Sequence, residues 1–311
     1  LDYLVVTNLF RDQLDRYGEL DTTAKKIQSA IDKNKNLILF LNADDPLVAN
    51  LGKDNKKIYY GFEEIEFANT RTISNAPAEM FNCICGKPLE YSKRFYAQQG
   101  HYYCSCGYKR PICDYIGKAK IFDEYIELSV NHNNQTTNYT VNTIGLYNAY
   151  NVLAAISTAL QLGYTQDQIQ NALKTYKAMF GRAEKTEING NKAIIQLIKN
   201  PTGASEVLKT IDLSSNILIA INDNFADGRD VSWLWDAEFE LLQNTEKTII
   251  TSGKRAYDMA LRLKYAGIPQ EKIKVVPDLF QAIKEISSSN DLDEKITILP
   301  SYTALLQIKN K

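Results

Sequence analysis

Histidine is nearly absent, with only His101 and His132 among 311 residues. Self-contained Ser-His or Cys-His catalysis is therefore disfavoured, and both histidines read as hydrogen-bonded loop residues. An excess of charge is also lacking: 36 basic residues face 37 acidic ones, for a net charge of -1. No overall positive field exists to hold nucleic acid or an anionic membrane. Long apolar runs are missing too. The longest uncharged stretch, 128–166, is broken repeatedly by Asn, Thr, Gln and Tyr, so the chain does not read as an integral membrane protein. The amino end, LDYLVVTNLFRDQ, carries charges within its only apolar run and follows no basic segment, unlike a secretion or transit signal. It opens in an apolar run without Met, which predicts a fragment whose preceding portion bears on function. A phosphate loop of the form G-x-x-x-x-G-K-[ST] occurs nowhere.

Cysteine is confined to positions 83, 85, 104, 106 and 113, which is not the distribution of a disulfide framework. Cys83-Ile84-Cys85-Gly86 and Cys104-Ser105-Cys106-Gly107 repeat one design, in which Gly lets the backbone turn and both thiolates converge. Four soft thiolates favour tetrahedral zinc, although each pair is one residue tighter than the usual C-x2-C. With all four positions filled by protein, such an ion is structural. Cys113 reads as a small buried hydrophobe.

Strand-length apolar runs alternate with helical periodicity, the pattern of α/β layers. Strands are expected at 4–7, 37–41 and 57–62, with a helix over 22–32. The block 71–111 interrupts this rhythm and reads as an inserted knuckle. Strands follow at 121–130 and 138–144, with Asn133-Asn134 as a hairpin turn. Helices are expected at 147–162 and, capped by Thr165, from 165 to 179. The last third repeats strand and helix: strands 217–221, 248–251, 273–276 and 296–299, helices 232–242, 256–266 and 278–286, and a final helix from Ser301. A parallel sheet covered on both faces is implied, with function at the carboxyl ends of its strands. The expected domains are 1–180, carrying a zinc-ribbon insertion at about 80–114, and 181–311.

Three polar clusters stand where such folds present ligand sites. They are Thr7-Asn8-Leu9-Phe10-Arg11-Asp12-Gln13-Leu14-Asp15-Arg16-Tyr17-Gly18, Asn42-Ala43-Asp44-Asp45-Pro46 and Gly145-Leu146-Tyr147-Asn148-Ala149-Tyr150-Asn151. Taken singly, the first two are more often a helix cap or turn than a site, and the third reads either as amides presented to a nucleobase or as a helix cap. In this order and spacing they resemble the central domain of the Mur ligase family, matching its N-x-x-x-D-H-x-D-x-x-G, N-x-D-D-P and G-x-H-N-x-x-N segments. Gly181-Arg182-Ala183-Glu184 matches the G-R-x-E entering the third Mur domain, and 195–201 matches the segment that usually reads D-Y-A-H-x-P. The resemblance covers nearly the whole chain. In that family the phosphate loop precedes the point matching Leu1.

Departures narrow the resemblance. Gln13 and Tyr147 replace family histidines, and Gln196 replaces a common Asp. With the four cysteines and the segments Asp223-Asn224-Phe225-Ala226-Asp227 and Pro300-Ser301-Tyr302-Thr303, the chain is similar to the MurT branch, the Mur ligase-like subunits of lipid II isoglutaminyl synthase. The fold so implied is a Mur ligase central domain with an inserted four-cysteine ribbon, followed by a Rossmann-like α/β domain. The activity implied is ATP-dependent amidation of the D-glutamate α-carboxylate of the lipid II stem peptide through an acyl phosphate. Ammonia would come from a GatD-type glutaminase, at the cytoplasmic face of the membrane.

By the same resemblance, Asn148 and Asn151 contact adenine, while Arg182 and Lys199 approach the phosphates. Asn8 and Asp12 lie near magnesium and phosphate. Asp223, with Asp227 as fallback, supplies the acid that completes the partner's glutaminase site. An amino-acid-adding Mur or folylpolyglutamate-type ligase is the alternative, and the cysteines and carboxy-terminal segments argue against it. Lys87, Lys93, Arg94, Lys109 and Arg110 surround the cysteines, but Glu90 and Asp114 dilute them, so a nucleic-acid module is disfavoured.

Overall fold

A computed structural model describes residues 1–11, 20–68, 82–176, 181–288 and 295–310. Asp12 and Gln13 lie outside these residues. The described chain forms two compact units, one through Tyr176 and one from Gly181 onward.

The first unit is built on a mixed sheet of order β1-β2-β3-β6-β7-β8. Strands β1 (Tyr3–Val6), β2 (Ile38–Asn42), β3 (Lys57–Phe67) and β6 (Tyr115–Ile121) run parallel. Strands β7 (Ile126–His132) and β8 (Gln135–Val141) close the sheet antiparallel, through Asn133 and Asn134 at φ 51° and 62°. Two successive left-handed residues make the turn whose twist suits a tight hairpin. The strand expected at 121–130 starts later, as β7; Phe122 and Tyr125 stack across the turn that separates it from β6, which was not expected.

Helix α1 (Leu20–Ile31) packs Leu20 and Ile31 with Leu39 and Leu41, and α2 (Pro46–Ala49) is capped by Asp45. Helix α3 (Leu146–Gln161) lays Ala149, Tyr150, Leu153 and Ile156 on the sheet. Helix α4 (Gln166–Thr175) begins in a full capping box between Thr165 and Gln168, and ends four residues earlier than the 179 expected from periodicity.

Between β3 and β6 lies the cysteine ribbon, whose strands β4 (Glu90–Tyr96) and β5 (Gln99–Tyr103) form an antiparallel hairpin. Its small core joins Cys83, Leu89, Tyr102 and Cys104 to Ala49 of α2.

The second unit has the strand order β13-β12-β11-β14-β10-β9. Strands β10 (Asn191–Gln196), β11 (Asn216–Ala220), β12 (Ile249–Ser252), β13 (Ile273–Val275) and β14 (Ile296–Pro300) are parallel. The edge strand β9 (Arg182–Ile188) is antiparallel, which amends the all-parallel expectation. Helices α5 (Pro201–Leu208), α6 (Ala256–Tyr265), α7 (Leu279–Ile286) and α8 (Tyr302–Lys309) flank the sheet. The helix expected over 232–242 is replaced by two 3-10 turns, Ser232–Trp235 and Phe239–Leu242. Buried Arg262 takes the carbonyls of Leu234 and Ala237 at 2.9 and 2.8 Å, acceptors that a continuous helix would use itself. From β11 the chain moves outward to β12 and β13, then returns to β14 on the other side of β11. That reversal makes the carboxyl ends of β11 and β14 the crevice where open α/β sheets bind.

Candidate functional site

The four cysteines predicted to share an ion do converge, with all four sulfurs within 4.8 Å of one another. Each pair sits in the same turn: Cys83 N donates to Lys87 O and Gly86 N to Cys83 O, while Cys104 N donates to Tyr108 O and Gly107 N to Cys104 O. Sulfur separations are 3.6 Å for Cys83 with Cys106 and 3.7 Å for Cys85 with Cys104. A tetrahedron with metal–sulfur bonds of about 2.3 Å has edges of about 3.8 Å, so donor set and spacing both fit a four-thiolate ion. Cys113 stands apart as a buried free thiol, and burial pushes it up to about 12.

At the end of β2 the N-x-D-D-P cluster is a buried knot. Asn42 Nδ2 donates to Thr7 O at 2.9 Å, tying the ends of β2 and β1. Asp44 accepts from Phe62 N and Tyr150 OH, both at 2.8 Å, and pairs with Arg110 Nε at 2.6 Å. Asp45 accepts from Leu47 N, Val48 N and Leu9 N at 3.0, 3.1 and 3.1 Å. Burial pushes both carboxyls upward. Arg110 opposes the rise at Asp44, whereas Asp45 has only hydrogen bonds against its desolvation and reaches about 6. These acids organise the strand ends and leave no oxygen prominent for a ligand.

Asn8, half-buried at the end of β1, donates to Thr7 Oγ1 at 3.3 Å. Asn148 is buried, and its Nδ2 is spent on Thr143 Oγ1 at 2.9 Å and Ile144 O at 2.7 Å, which leaves Oδ1 to accept. Asn151, one turn on and half-buried, makes no side-chain hydrogen bond among the described residues.

In the second unit Arg182 is exposed at the start of β9, beside a tightly fitted Gly181. Gly181 has φ 69°, and an added Cβ would lie 3.0 Å from Leu197 N. Lys199 is half-buried just before Asn200, which caps α5 through Gly203 N. Gln196 is buried against Thr210.

The two carboxy-terminal segments meet at the β11/β14 crevice. Asn222 N donates to Ser301 Oγ at 2.9 Å and Asn224 Nδ2 to Thr303 Oγ1 at 2.8 Å. Asp227 receives Thr303 N at 2.7 Å, Thr303 Oγ1 at 2.6 Å and Asn224 N at 3.1 Å. The loop after β12 joins them: Gly253, at φ 85°, passes so close that a Cβ would lie 2.5 Å from Ile221 O. Next to it, Lys254 N donates to Asn222 Oδ1. Asp223 is half-buried, 22% exposed, and among the described residues Arg255 grips only its Oδ2, with Nε at 3.0 Å and Nη2 at 2.8 Å. Asp227 is thus a clamp, and Asp223 retains an oxygen to offer. Sequence reasoning missed Asn222, Arg255 and Thr303 as parts of this cluster; their signal was position immediately after strand ends.

Two α/β units, the first with a mixed sheet and the second with its polar cluster at the switch of a largely parallel one, define a Mur ligase-like protein. A pseudomurein peptide ligase type C from Methanothermus fervidus shares this fold, with a TM-score of 0.74 at 24% identity over 100% of this chain and 64% of that one. Residues 197–305 match the family described as MurT ligase C-terminal. The lipid II isoglutaminyl synthase (glutamine-hydrolyzing) subunit MurT of Staphylococcus aureus strain COL is 36% identical over 97% of this chain. That of Streptococcus pneumoniae R6 is 34% identical over 98%. The chain spans 68% of the length of each of these two relatives. It belongs to the MurT family.

Proposed function

We propose that this chain is the synthetase part of a lipid II isoglutaminyl synthase, a carbon-nitrogen ligase of peptidoglycan synthesis. ATP phosphorylates the α-carboxylate of D-glutamate in the stem peptide, and ammonia displaces phosphate from the acyl phosphate to leave D-isoglutamine. Chemically this asks the protein to neutralise charge at the transferring phosphoryl group and to hold carboxylate and ammonia in line. Arg182 and Lys199 serve the phosphates, Asn148 Oδ1 and Asn151 the adenine, and Asn8 with Asp12 the region of magnesium. The four-cysteine site holds structural zinc. Substrate is met at the cytoplasmic face of the membrane, and among the described residues no helix is long and apolar enough to cross it.

The observation that carries the two-subunit reading is the division of labour between Asp223 and Asp227. One carboxylate of the D-N-F-A-D loop is consumed by Thr303, while the other keeps a free oxygen at a strand's carboxyl end. Such a group suits orientation of a histidine in a GatD-type glutaminase, whose Cys-His pair needs an acid. The test is glutamine hydrolysis by the full-length protein combined with its glutaminase. Asp223→Asn is expected to lower hydrolysis by about a hundredfold or more while ammonia-driven, ATP-dependent amidation persists. Undiminished hydrolysis removes Asp223 from that role.

A further inference from the structure

The neighbouring carboxyls at the end of β2 are held by two different side chains of the ribbon. Arg110, near its base, takes Asp44. Gln98, in the turn between β4 and β5, comes within 3.5 Å of Asp45 Oδ2. The same Gln98 Nε2 donates to Leu9 O at 2.8 Å, while Leu9 N donates to Asp45 Oδ2. Both backbone polar groups of Leu9 are therefore taken by side chains, in a closed triangle with wholly buried Gln98 and Asp45. Phe10 continues the contact, its ring 5.6 Å from that of Tyr96 on β4.

This matters because the ladder between β1 and β2 ends at Val6 and Leu41. Beyond it, residues 7–10 lie outside the ladder and are held by side chains instead: Asn42 takes Thr7 O, Asp45 takes Leu9 N, and the tip of the ribbon takes Leu9 O. Gln98 Oε1 and both polar atoms of Gln99 are buried without hydrogen-bond partners among the described residues. Each costs about 1–3 kcal/mol, so the glutamine turn is poorly explained by stability alone.

We infer that Gln98 is a positioning residue of the ligase site, acting through its hold on Leu9 and Asp45. Through Leu9, Gln98 sets the place of the neighbouring Asn8 in the magnesium and phosphate region. This assignment rests on the ATP-dependent reading above.

The test uses the full-length protein with its glutaminase, ATP, a stem-peptide carboxylate acceptor and ammonium as nitrogen source. Gln98→Met keeps volume and removes the donor. It is expected to retain wild-type zinc content and the folded state, with a modestly lowered melting temperature, while kcat falls by about tenfold to a hundredfold and acceptor KM changes little. Gln98→Glu sets a carboxylate against Leu9 O and Asp45. It should match the Met variant at alkaline pH and regain activity relative to wild type as the medium is acidified, because the protonated carboxyl donates again. Wild-type kcat in Gln98→Met overturns the proposal. So does a loss of activity that tracks zinc or melting temperature with no acid recovery in Gln98→Glu. A wild-type protein that turns over no ATP with ammonium overturns the ligase reading itself, and the proposal with it.

Discussion

Asp223 and Asp227 stand four positions apart in one loop and differ in what their oxygens have left to give. Asp227 accepts three hydrogen bonds from Asn224 and Thr303. In Asp227→Asn an amide donor faces those donors, which is expected to cost about 2–3 kcal/mol in denaturant unfolding. Asp45 gives a prediction of a different kind. Its folded-state value of about 6 lies above the ordinary 3.8, so between these values the folded protein binds more protons than the unfolded chain. Stability from this group is therefore greatest below that window, declines as pH rises through it, and is level above. Two units correspond to a decline on the order of 3 kcal/mol in the wild type relative to Asp45→Asn, read from urea unfolding at a series of pH values. A difference that stays flat across the window would show that Asp45 is not the titrating group.

Among the elements, legibility followed how locally each was determined. Thr165 with Gln168, and Asn133 with Asn134, declare a cap and a turn from neighbours alone, and both stand as read. The two cysteine knuckles were equally legible, because each is built from four consecutive residues. The helix expected over 232–242 failed because its carbonyls are diverted by Arg262, which is distant in sequence. Arg262→Leu leaves those carbonyls buried and unpaired, and a loss of about 2–4 kcal/mol in unfolding free energy is expected. Strands β6 and β9 were missed: β6 follows directly on the ribbon, and the left-handed Ala183 near the start of β9 breaks a simple strand pattern. In the candidate site, the segment holding Asp223 and Asp227 was visible as a motif, whereas their contacts with Arg255 and Thr303, and the place of Asn222, appear only when three strand ends are brought side by side.

At the scale of the whole first unit, β3 and β6 are parallel neighbours, and the connection between them carries the ribbon. Parallel strands are ordinarily joined by a crossover helix whose apolar stripe supplies its own reason to fold. Here the connection is organised by four thiolates, and its core is small. A strong chelator is expected to leave all four knuckle thiols reactive towards a thiol reagent, and Cys104→Ser the remaining three, and either is expected to lower the melting temperature of the first unit. A chelated protein with unchanged melting and thiol protection would show that the ribbon folds without an ion.

The ribbon's place in the sheet gives the surrounding medium a hand in the folding equilibrium. A bound ion that the unfolded chain does not share adds stability as RT ln(1 + [L]/Kd), about 1.4 kcal/mol for each tenfold rise in free ion well above Kd. An ion at the four cysteines would tie the crossover between β3 and β6 to an external chemical potential, where a helix would depend only on its own sequence. If the ion is the zinc proposed above, buffers of different free zinc are expected to give this one chain different unfolding free energies.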